Sequence, residues 1–422
     1  MNDIASTEVK VWDASDHGSC QLCDSDSNSR HQVKKNKNQN SNSTKSCKMI
    51  SKLLLLEDLR FHIFTFVPLN CLLNSARYVN KLWAATIGSS HFAEAYERHA
   101  HSKLGLYVEN CMEPDNSYFL EFKDYVNDQF ERTDLGIPSI MGDIIDTCNG
   151  ILLFCNIYEQ IFVMNPILKC WLRIPDFPIS RQPMIFSMQC TIARVPGTSE
   201  FKLFLVDFVE GSDAFWYVFY VLRIGKDYTW NEIVRKEAPF RQLFLCRPLY
   251  SGDNDLYWIT EKEVIVMNVD KEIIMREYPL PNELNILAKN CLMLGNRLSC
   301  IMSNDFNRTF QIYILNFDSG KLSLYHEMGP FDYVATCGHE VYIHLVRFCL
   351  WINNQIIFRV PQCQNQIGNT SPDIKNIHFG YNVNTRQLTK IGDIDVGHFE
   401  VCLHTNSLIS LPRTPTLLRF FV

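Results

Sequence analysis

A strand–turn–strand unit repeats through the second half of the chain and constrains the fold more than any other feature. Residues 163–175, 266–281 and 313–328 share an apolar strand, an Asn-bearing turn and a second strand, and residues 220–233 and 379–394 are weaker copies. Two of the four intervals between successive unit starts, 46 and 47 residues, match the roughly 45–50 residues that one four-stranded propeller blade needs. We therefore predict a β-propeller of six or seven blades over residues 148–422, with a degenerate blade around Trp351.

Residues 51–106 have apolar residues at helical spacing instead. Leu72, Ala76, Val79, Trp83 and Ile87 recur every three or four residues, which predicts one helix from Leu72 to Ile87 with these side chains on one face. Two flanking apolar stripes predict a helix on either side. A three-helix unit of roughly fifty residues buries little core and is marginal alone, so we expect it to dock against a partner.

The remaining segments are polar. Residues 1–50 hold few aliphatic residues and are predicted to be a disordered tail. The pair Cys20 and Cys23, with His17 and His31 nearby, has the beginning of a zinc-site spacing but no second pair, so we expect no metal site and no cofactor. Residues 107–147 contain many acidic residues and are predicted to be a solvated connector between the helices and the propeller.

The composition of the chain bears on which classes of partner it binds and in which cellular compartment it lies. A net charge of -6 gives no general attraction to nucleic acid or to an anionic membrane. The chain has no apolar run near the ~20 residues of a membrane-spanning helix, and its first residues lack the pattern of a secretory signal. The 16 cysteines are scattered singly, which is typical of a reducing compartment, so we expect the cytoplasm, the nucleus or both.

The sequence contains no motif that carries catalysis. It has neither a phosphate-binding Gly-rich loop, nor a nucleophile elbow, nor a zinc-binding helix motif. Cys148 precedes Asn149-Gly150, but Asn-Gly is first a tight-turn signal, and we interpret the cysteine as a buried strand end. We therefore expect a protein that is not an enzyme.

Residues 55–92 resemble an F-box, the adaptor-binding module of cullin-RING ubiquitin ligases. The agreement extends over about a dozen positions in register: Leu55, Asp58-Leu59, Ile63, Pro68, Leu72, Arg77, Val79, Lys81, Trp83, Ile87, Ser89 and Phe92. Two positions depart from the family pattern. Leu56 replaces the usual Pro, which removes a helix-start residue, and Asn80 stands where Cys or Ser is usual.

The second half resembles the F-box-associated, kelch-like domain of plant F-box proteins. The resemblance is carried by residues 146–152 (DTCNGIL), Asn165-Pro166 with Trp171, Tyr257-Trp258, residues 278–281 (YPLP) and a closing segment at 407–411 (SLISL). The two resemblances together imply a multidomain α plus all-β chain. It would comprise the tail, a small three-helix F-box over 51–106, the connector and a kelch-like β-propeller.

The F-box resemblance implies roles for individual residues. Leu55, Leu56, Leu59, Ile63, Pro68 and Leu72 would offer apolar surface to a Skp-type adaptor, while Val79, Trp83, Ile87 and Phe92 would form the core of the module. The resemblance also implies a function, the substrate-recognition subunit of a Skp–cullin–F-box ubiquitin ligase. In that role the propeller holds a protein target for ubiquitination and degradation, and the ligase acts by proximity.

Alternatives remain open at this point. One alternative is an F-box scaffold or an adaptor-sequestering protein that acts without ubiquitin transfer, and another is an enzyme with a site at the propeller centre. The helices could also form a cap that belongs to the propeller alone. For the target, the candidate segments are the inter-strand stretches 210–215, 303–308 and 361–373.

Overall fold

The computed structural model describes most of the chain after residue 56. The described residues are 57–99, 104–110, 116–124, 129–135, 137–177, 189–238, 244, 246–260, 262–280, 290–304, 309–338, 341–342, 345–352, 354–362, 375–392, 394 and 399–412. The chain divides into two compact units, residues 1–64 with 414–422, and residues 65–413. The predicted tail, the Cys20/Cys23 pair, Leu55 and Leu56 lie outside the described residues.

The described strands form six four-stranded antiparallel sheets. In blade order these are β4 Asp143–Cys148, β5 Ile151–Cys155, β6 Ile161–Asn165 and β7 Cys170–Arg173; β8 Cys190–Arg194, β9 Phe201–Glu210, β10 Phe215–Arg223 and β11 Asn231–Ala238; β12 Leu249–Tyr250, β13 Asp255–Ile259, β14 Glu263–Asn268 and β15 Ile273–Pro279; β16 Cys291–Leu294, β17 Arg297–Asn304, β18 Thr309–Asn316 and β19 Lys321–Met328; β20 Arg347–Ile352, β21 Gln355–Pro361, β22 Asn376–Asn382 and β23 Gln387–Lys390; and β24 Phe399–Thr405, β1 Leu104–Asn110, β2 Tyr118–Asp124 and β3 Gln129–Asp134.

The six sheets form a closed ring. The first strands β4, β8, β12, β16, β20 and β24 each contact the first strand of the next sheet, and β24 contacts β4 to complete the circle. The sixth sheet joins the two ends of the propeller, because β24 pairs along its whole length with β1. The fold is therefore a six-bladed β-propeller. Six is the lower of the two predicted blade numbers.

Three features differ from the sequence-based expectations. Residues 107–147 are not a connector: they contribute β1 to β4, so the propeller begins at Leu104 rather than at 148. Trp351 lies on β20, the first strand of the blade that contains 379–394, so it marks no extra blade. The closing strand is β24, whereas residues 407–411 follow it without strand pairing.

The predicted Asn-bearing turns are confirmed. Each lies between the third and fourth strands of a blade, and the Asn that ends the third strand accepts hydrogen bonds from turn amides. Asn316 Oδ1, for example, accepts from the backbone N–H groups of Asp318 at 2.9 Å and Ser319 at 3.1 Å. Equivalent bonds occur at Asn165, Asn268 and Asn382. The side chain thus replaces a backbone partner and fixes the turn.

The helical segment is more broken than predicted. It comprises α1 over the described residues 57–65, α2 Leu69–Asn74, a 3₁₀ turn Ala76–Tyr78, α3 Lys81–Ile87 and α4 Ser90–His99. The single helix predicted from Leu72 to Ile87 is interrupted because Asn80 is extended and caps α3, its Oδ1 accepting from the Trp83 N–H at 2.9 Å.

The interruption changes which side chains are buried. Residues before and after Asn80 no longer share one helical face, since the 3.6-residue period restarts at the cap. Val79, predicted to be core, is 59% exposed, and Leu72, predicted to offer surface, is completely buried. Ile87 and Phe92 are buried as expected, and Trp83 is half-buried.

The propeller has two distinct faces, because strand direction alternates within each blade. The helix face carries the turns after the first and third strands of each blade, such as Asn149-Gly150 and the Asn-bearing turns. The loop face carries the connections after the second and fourth strands, such as residues 156–160 between β5 and β6 and the crossover to β4 that contains Ile140. Strand β1 begins at the helix face, so α4 enters the propeller from that side.

Candidate functional site

Exposed apolar side chains occur on the helices of both compact units, and each set is a candidate site by itself. In the first unit, Leu59 and Ile63 are four residues apart on α1, and their side chains are 55% and 52% exposed. In the second unit, Phe66, Tyr78, Val79 and Leu82 are each at least half exposed. A short segment that leaves this many large apolar side chains in water has the character of a protein-binding surface.

Of the six residues predicted to contact an adaptor, Leu55 and Leu56 lie outside the described residues, and the other four fall into two groups. Leu59, Ile63 and Pro68 are exposed. Leu72 is buried, and its position in the interior follows from the interrupted helix. Tyr78 and Leu82 were not among the predicted contact residues, because the exposure of these residues near Asn80 follows from the break in the helix.

A polar brace joins α4 to the helix face of the propeller. Glu97 on α4 forms an ion pair with Arg194 at the end of β8, and both side chains are largely shielded from water. The other Glu97 oxygen accepts a hydrogen bond from Asn149 Nδ2 at 3.4 Å. Asn149 and Gly150 both have positive φ angles in the two-residue turn between β4 and β5, so the predicted Asn-Gly turn is confirmed. The brace fixes the end of the helical segment to two blades.

Arg194→Ala should therefore destabilise the protein by about 2 kcal/mol, because it leaves the shielded Glu97 carboxylate without its ion-pair partner. Urea unfolding followed by circular dichroism measures the change in free energy. Arg98→Ala is the matched control: Arg98 lies on the same helix, and its Nε donates to a backbone oxygen of that helix. Equal losses in the two variants would contradict a bracing role for Arg194.

Polar side chains link the first strands around the centre of the propeller. Asp146 on β4 accepts hydrogen bonds from the Thr191 hydroxyl and the Ile192 N–H on β8. Thr147 on β4 contacts His404 Nδ1 on β24 at 3.0 Å. Burial lowers the pKa of His404 to about 3, so its imidazole is neutral near pH 7. These bonds hold neighbouring blades in register.

The Cys148 thiol is buried at the end of β4, as the sequence predicted. Desolvation and the nearby Asp146 carboxylate raise the pKa of this thiol well above its ordinary value. A thiol that is protonated and shielded in this way is a poor nucleophile. Cys148 is therefore a packing residue of the first strand.

Glu109 is a buried carboxyl on β1 that accepts a hydrogen bond from the Ile144 N–H at 2.8 Å. Desolvation raises the pKa of Glu109 from 4.5 to about 8. In the unfolded chain this carboxyl loses its proton near pH 4.5, whereas in the folded chain it keeps the proton up to about pH 8. Unfolding between these values releases a proton, so the Glu109 contribution to stability falls as pH rises through this window.

Glu109→Gln should remove that decline, because the amide keeps the acceptor for Ile144 and does not titrate. Between pH 5 and 8 the free energy of unfolding of the wild type should fall relative to the variant, by at most about 1.4 kcal/mol per pH unit. Urea titrations of both proteins at several pH values measure this difference. Parallel pH profiles would contradict the assignment.

Neither a metal site nor a membrane span is found in the part of the chain that the structure describes. No group of three or more His, Cys, Asp or Glu side chains is arranged there to hold a metal ion. Among the same residues, no helix combines the length and the hydropathy needed to cross a bilayer.

The three segments predicted to contact a target lie on the loop face wherever the structure describes them. Residues 210–215 join β9 to β10, the second and third strands of their blade. The other two segments follow β17 and β21, which are second strands as well, although residues 305–308 and 363–374 lie outside the described residues. The target candidates and the α4 brace are thus on opposite faces of the propeller.

Comparison with known proteins bears on the fold alone. No protein-family model matches the chain, and no curated protein matches its sequence. A protein from Lactobacillus plantarum is similar in structure at 9% identity, with 71% of this chain and 99% of that chain covered and a TM-score of 0.38. The oligogalacturonate lyase of Vibrio parahaemolyticus is 9% identical, with 68% and 79% covered and a TM-score of 0.35. The Dos1 propeller is 7% identical, with 69% and 71% covered and a TM-score of 0.33.

Proposed function

We propose that this chain is the substrate-recognition subunit of a Skp–cullin–F-box ubiquitin ligase. Its helical segment binds a Skp-type adaptor, and its propeller holds a protein target. The chain itself makes and breaks no covalent bond: it raises the effective concentration of target lysines near the ubiquitin carrier. The observation that carries this proposal is the exposure of large apolar side chains on a short helical segment whose sequence resembles an F-box.

The exposed apolar side chains Leu59 and Ile63 on α1 favour a protein partner over a small ligand. Large aliphatic and aromatic side chains that are half exposed gain most when a partner removes them from water, at roughly 25 cal/mol per Å² of buried apolar area. Leu59 and Ile63 are predicted contact residues of the F-box, and both are accessible. Leu72 is left out of the contact set because its side chain is buried.

The bonds of Glu97 on the helix face favour a role in which the protein positions a bound target. A ligase subunit of this kind acts by holding the target near the ubiquitin carrier. A flexible connection to the adaptor-binding helices would lower the effective concentration of target lysines there. Glu97 bonded to both Arg194 and Asn149 restrains α4 on the propeller.

Capture by a purified plant Skp-type adaptor tests the proposal. Wild type should be retained, whereas the Leu59→Asp/Ile63→Asp variant should lose at least tenfold in captured protein, because each new carboxylate would have to be desolvated in the interface. Leu324→Asp is the matched control, since Leu324 on β19 is 54% exposed, nearly as much as Leu59. Failure of folded wild type to bind, or equal capture of both variants, would overturn adaptor binding through α1.

A further inference from the structure

A rigid turn on the loop face presents two large apolar side chains to solvent. Ile157 and Tyr158 lie between β5 and β6, and their side chains are 88% and 75% exposed. Ile140, in the 3₁₀ turn Ser139–Met141 just before β4, is also exposed. The Asn156 Nδ2 group donates to the Ile140 carbonyl at 3.2 Å, which ties the two segments together. We call Ile140, Ile157 and Tyr158 the turn patch.

Hydrogen bonds of Asn156 and close packing of Gly142 fix the conformation of the turn patch. Asn156 is buried, and its Oδ1 accepts from the N–H groups of both Tyr158 and Gln160 at 3.0 Å. Gly142 approaches the same turn so closely that a Cβ there would lie 2.3 Å from Asn156 Cα, and its φ of +79° requires glycine. Such support lowers the entropy lost on binding, which is how a small exposed patch gains affinity.

Exposed apolar side chains are concentrated on this face. Among the described connections between propeller strands, the large apolar side chains that are exposed on the loop face are Ile140, Ile157, Tyr158, Val334, Tyr342 and Leu345. On the helix face, Tyr228 alone among the described connections belongs to this class. The asymmetry favours the loop face as the binding face, and within it the turn patch holds the two most exposed side chains.

The charge beside the turn patch is negative. Glu159 follows Tyr158 directly, Asp143 begins β4, and both residues are exposed. Neither carboxylate has an ion-pair partner among the residues that the structure describes. Both lie near the Cys155 thiol, whose pKa rises to about 11 through burial and then through these two carboxylates. A partner with a basic residue next to its apolar anchor would complement this charge.

We propose that the turn patch is the docking site for a protein segment that carries a large apolar side chain next to Lys or Arg. The apolar side chain packs against Ile157 and Tyr158, and the cation faces Glu159 and Asp143. The inference rests on the proposed function in one respect only, that the bound segment belongs to the target of the ligase. It names the contact residues and the chemistry of that target.

Selection from a displayed library of random 12-residue peptides against the full chain tests the docking site. Enriched peptides should combine an aromatic or large aliphatic residue with an adjacent Lys or Arg. Ile157→Asp/Tyr158→Asp should weaken the synthesised peptides at least tenfold in a fluorescence polarisation titration. Tyr228→Asp is the matched control: Tyr228 is 72% exposed on the opposite face, and its variant should bind within twofold of wild type. Glu159→Lys should weaken the basic peptides and favour acidic ones.

Two results would overturn the docking site: no enrichment of apolar–basic peptides, or equal binding to wild type and to the double variant. Adaptor capture on the same preparations separates this inference from the proposed function. A chain that captures adaptor but selects no such peptide contradicts the docking site alone. A chain that selects the peptides but captures no adaptor contradicts the ligase role alone. The substituted side chains are mostly in solvent, so unchanged melting temperatures should confirm that all variants are folded.

Discussion

Truncation before Phe399 should prevent the chain from folding into a propeller. The deletion removes β24, whose seven residues Phe399–Thr405 pair with β1 from Leu104 to Asn110. It also removes the contacts of β24 with β4 and β20, so the ring would open at its centre. An open ring exposes the edge of β1 and the apolar faces of two neighbouring blades, and stability of only about 5–15 kcal/mol cannot absorb such a loss.

The expected result is insoluble protein, or soluble protein without a cooperative thermal transition. Truncation after Arg413 is the control, because it keeps every described strand and the segment 406–412. That shorter truncation should express and melt like the wild type. A cooperative transition in the chain that lacks β24 would show that ring closure through this strand is dispensable.

Asn165→Ala should destabilise the protein by about 4 kcal/mol. Asn165 is completely buried. Its Nδ2 donates to the carbonyl oxygens of Ser407 at 2.9 Å and Ile409 at 2.8 Å, while its Oδ1 accepts from Ile167 and Leu168 in the turn. Alanine would leave two buried carbonyls without a donor and would release the segment that follows β24.

Asn316→Ala separates these two contributions. Asn316 occupies the equivalent position in another blade and is exposed, and its side-chain bonds to described residues are those of the turn. Its loss should cost about 1 kcal/mol. The excess at Asn165 then measures the two bonds to residues 407–409. Equal free energies of unfolding for the two variants, from urea titrations, would contradict the role of Asn165 as a clasp between the blade β4–β7 and the carboxyl-terminal segment.

Local patterns predicted most of the propeller because, in four of the six described blades, the turn between the third and fourth strands has a recognisable sequence. The Asn that ends the third strand satisfies turn amides, and the same residue type recurs at Asn165, Asn268, Asn316 and Asn382. The first strands lack such a mark, and β12 has only two residues. Counting blades by their outer strands therefore found five units and placed the sixth wrongly around Trp351.

The sixth blade was missed because its strands are far apart in the sequence. β24 pairs with β1 across almost three hundred residues, and no local pattern reports such a pairing. The acidic composition of residues 107–147 favoured a connector, yet Tyr107 and Phe119 within it are fully buried. Acidic residues such as Glu109 and Glu121 lie within β1 and β2, and in the sequence pattern they outweighed the apolar residues around them.

The candidate surface on the helices was predicted in part. Spacing identified Leu59 and Ile63, which share one face of α1 and are exposed. The spacing gave wrong faces around Asn80, because the periodicity argument assumes an unbroken helix. The N-cap at Asn80 starts a new helix, so residues before and after it do not share one face. The turn patch gave no sequence signal: exposure of Ile157 and Tyr158 follows from the second-to-third strand connection, which becomes visible only in the assembled blade.

The mass of the complex formed by purified wild-type chain, Skp-type adaptor and cullin tests the central claim most directly. Size-exclusion chromatography with light scattering should reveal one species that contains one copy of each protein, and this species should be absent with Leu59→Asp/Ile63→Asp. A complex of chain and adaptor that excludes cullin would contradict the ligase role and indicate adaptor sequestration. Folded chain that elutes alone would contradict adaptor binding altogether.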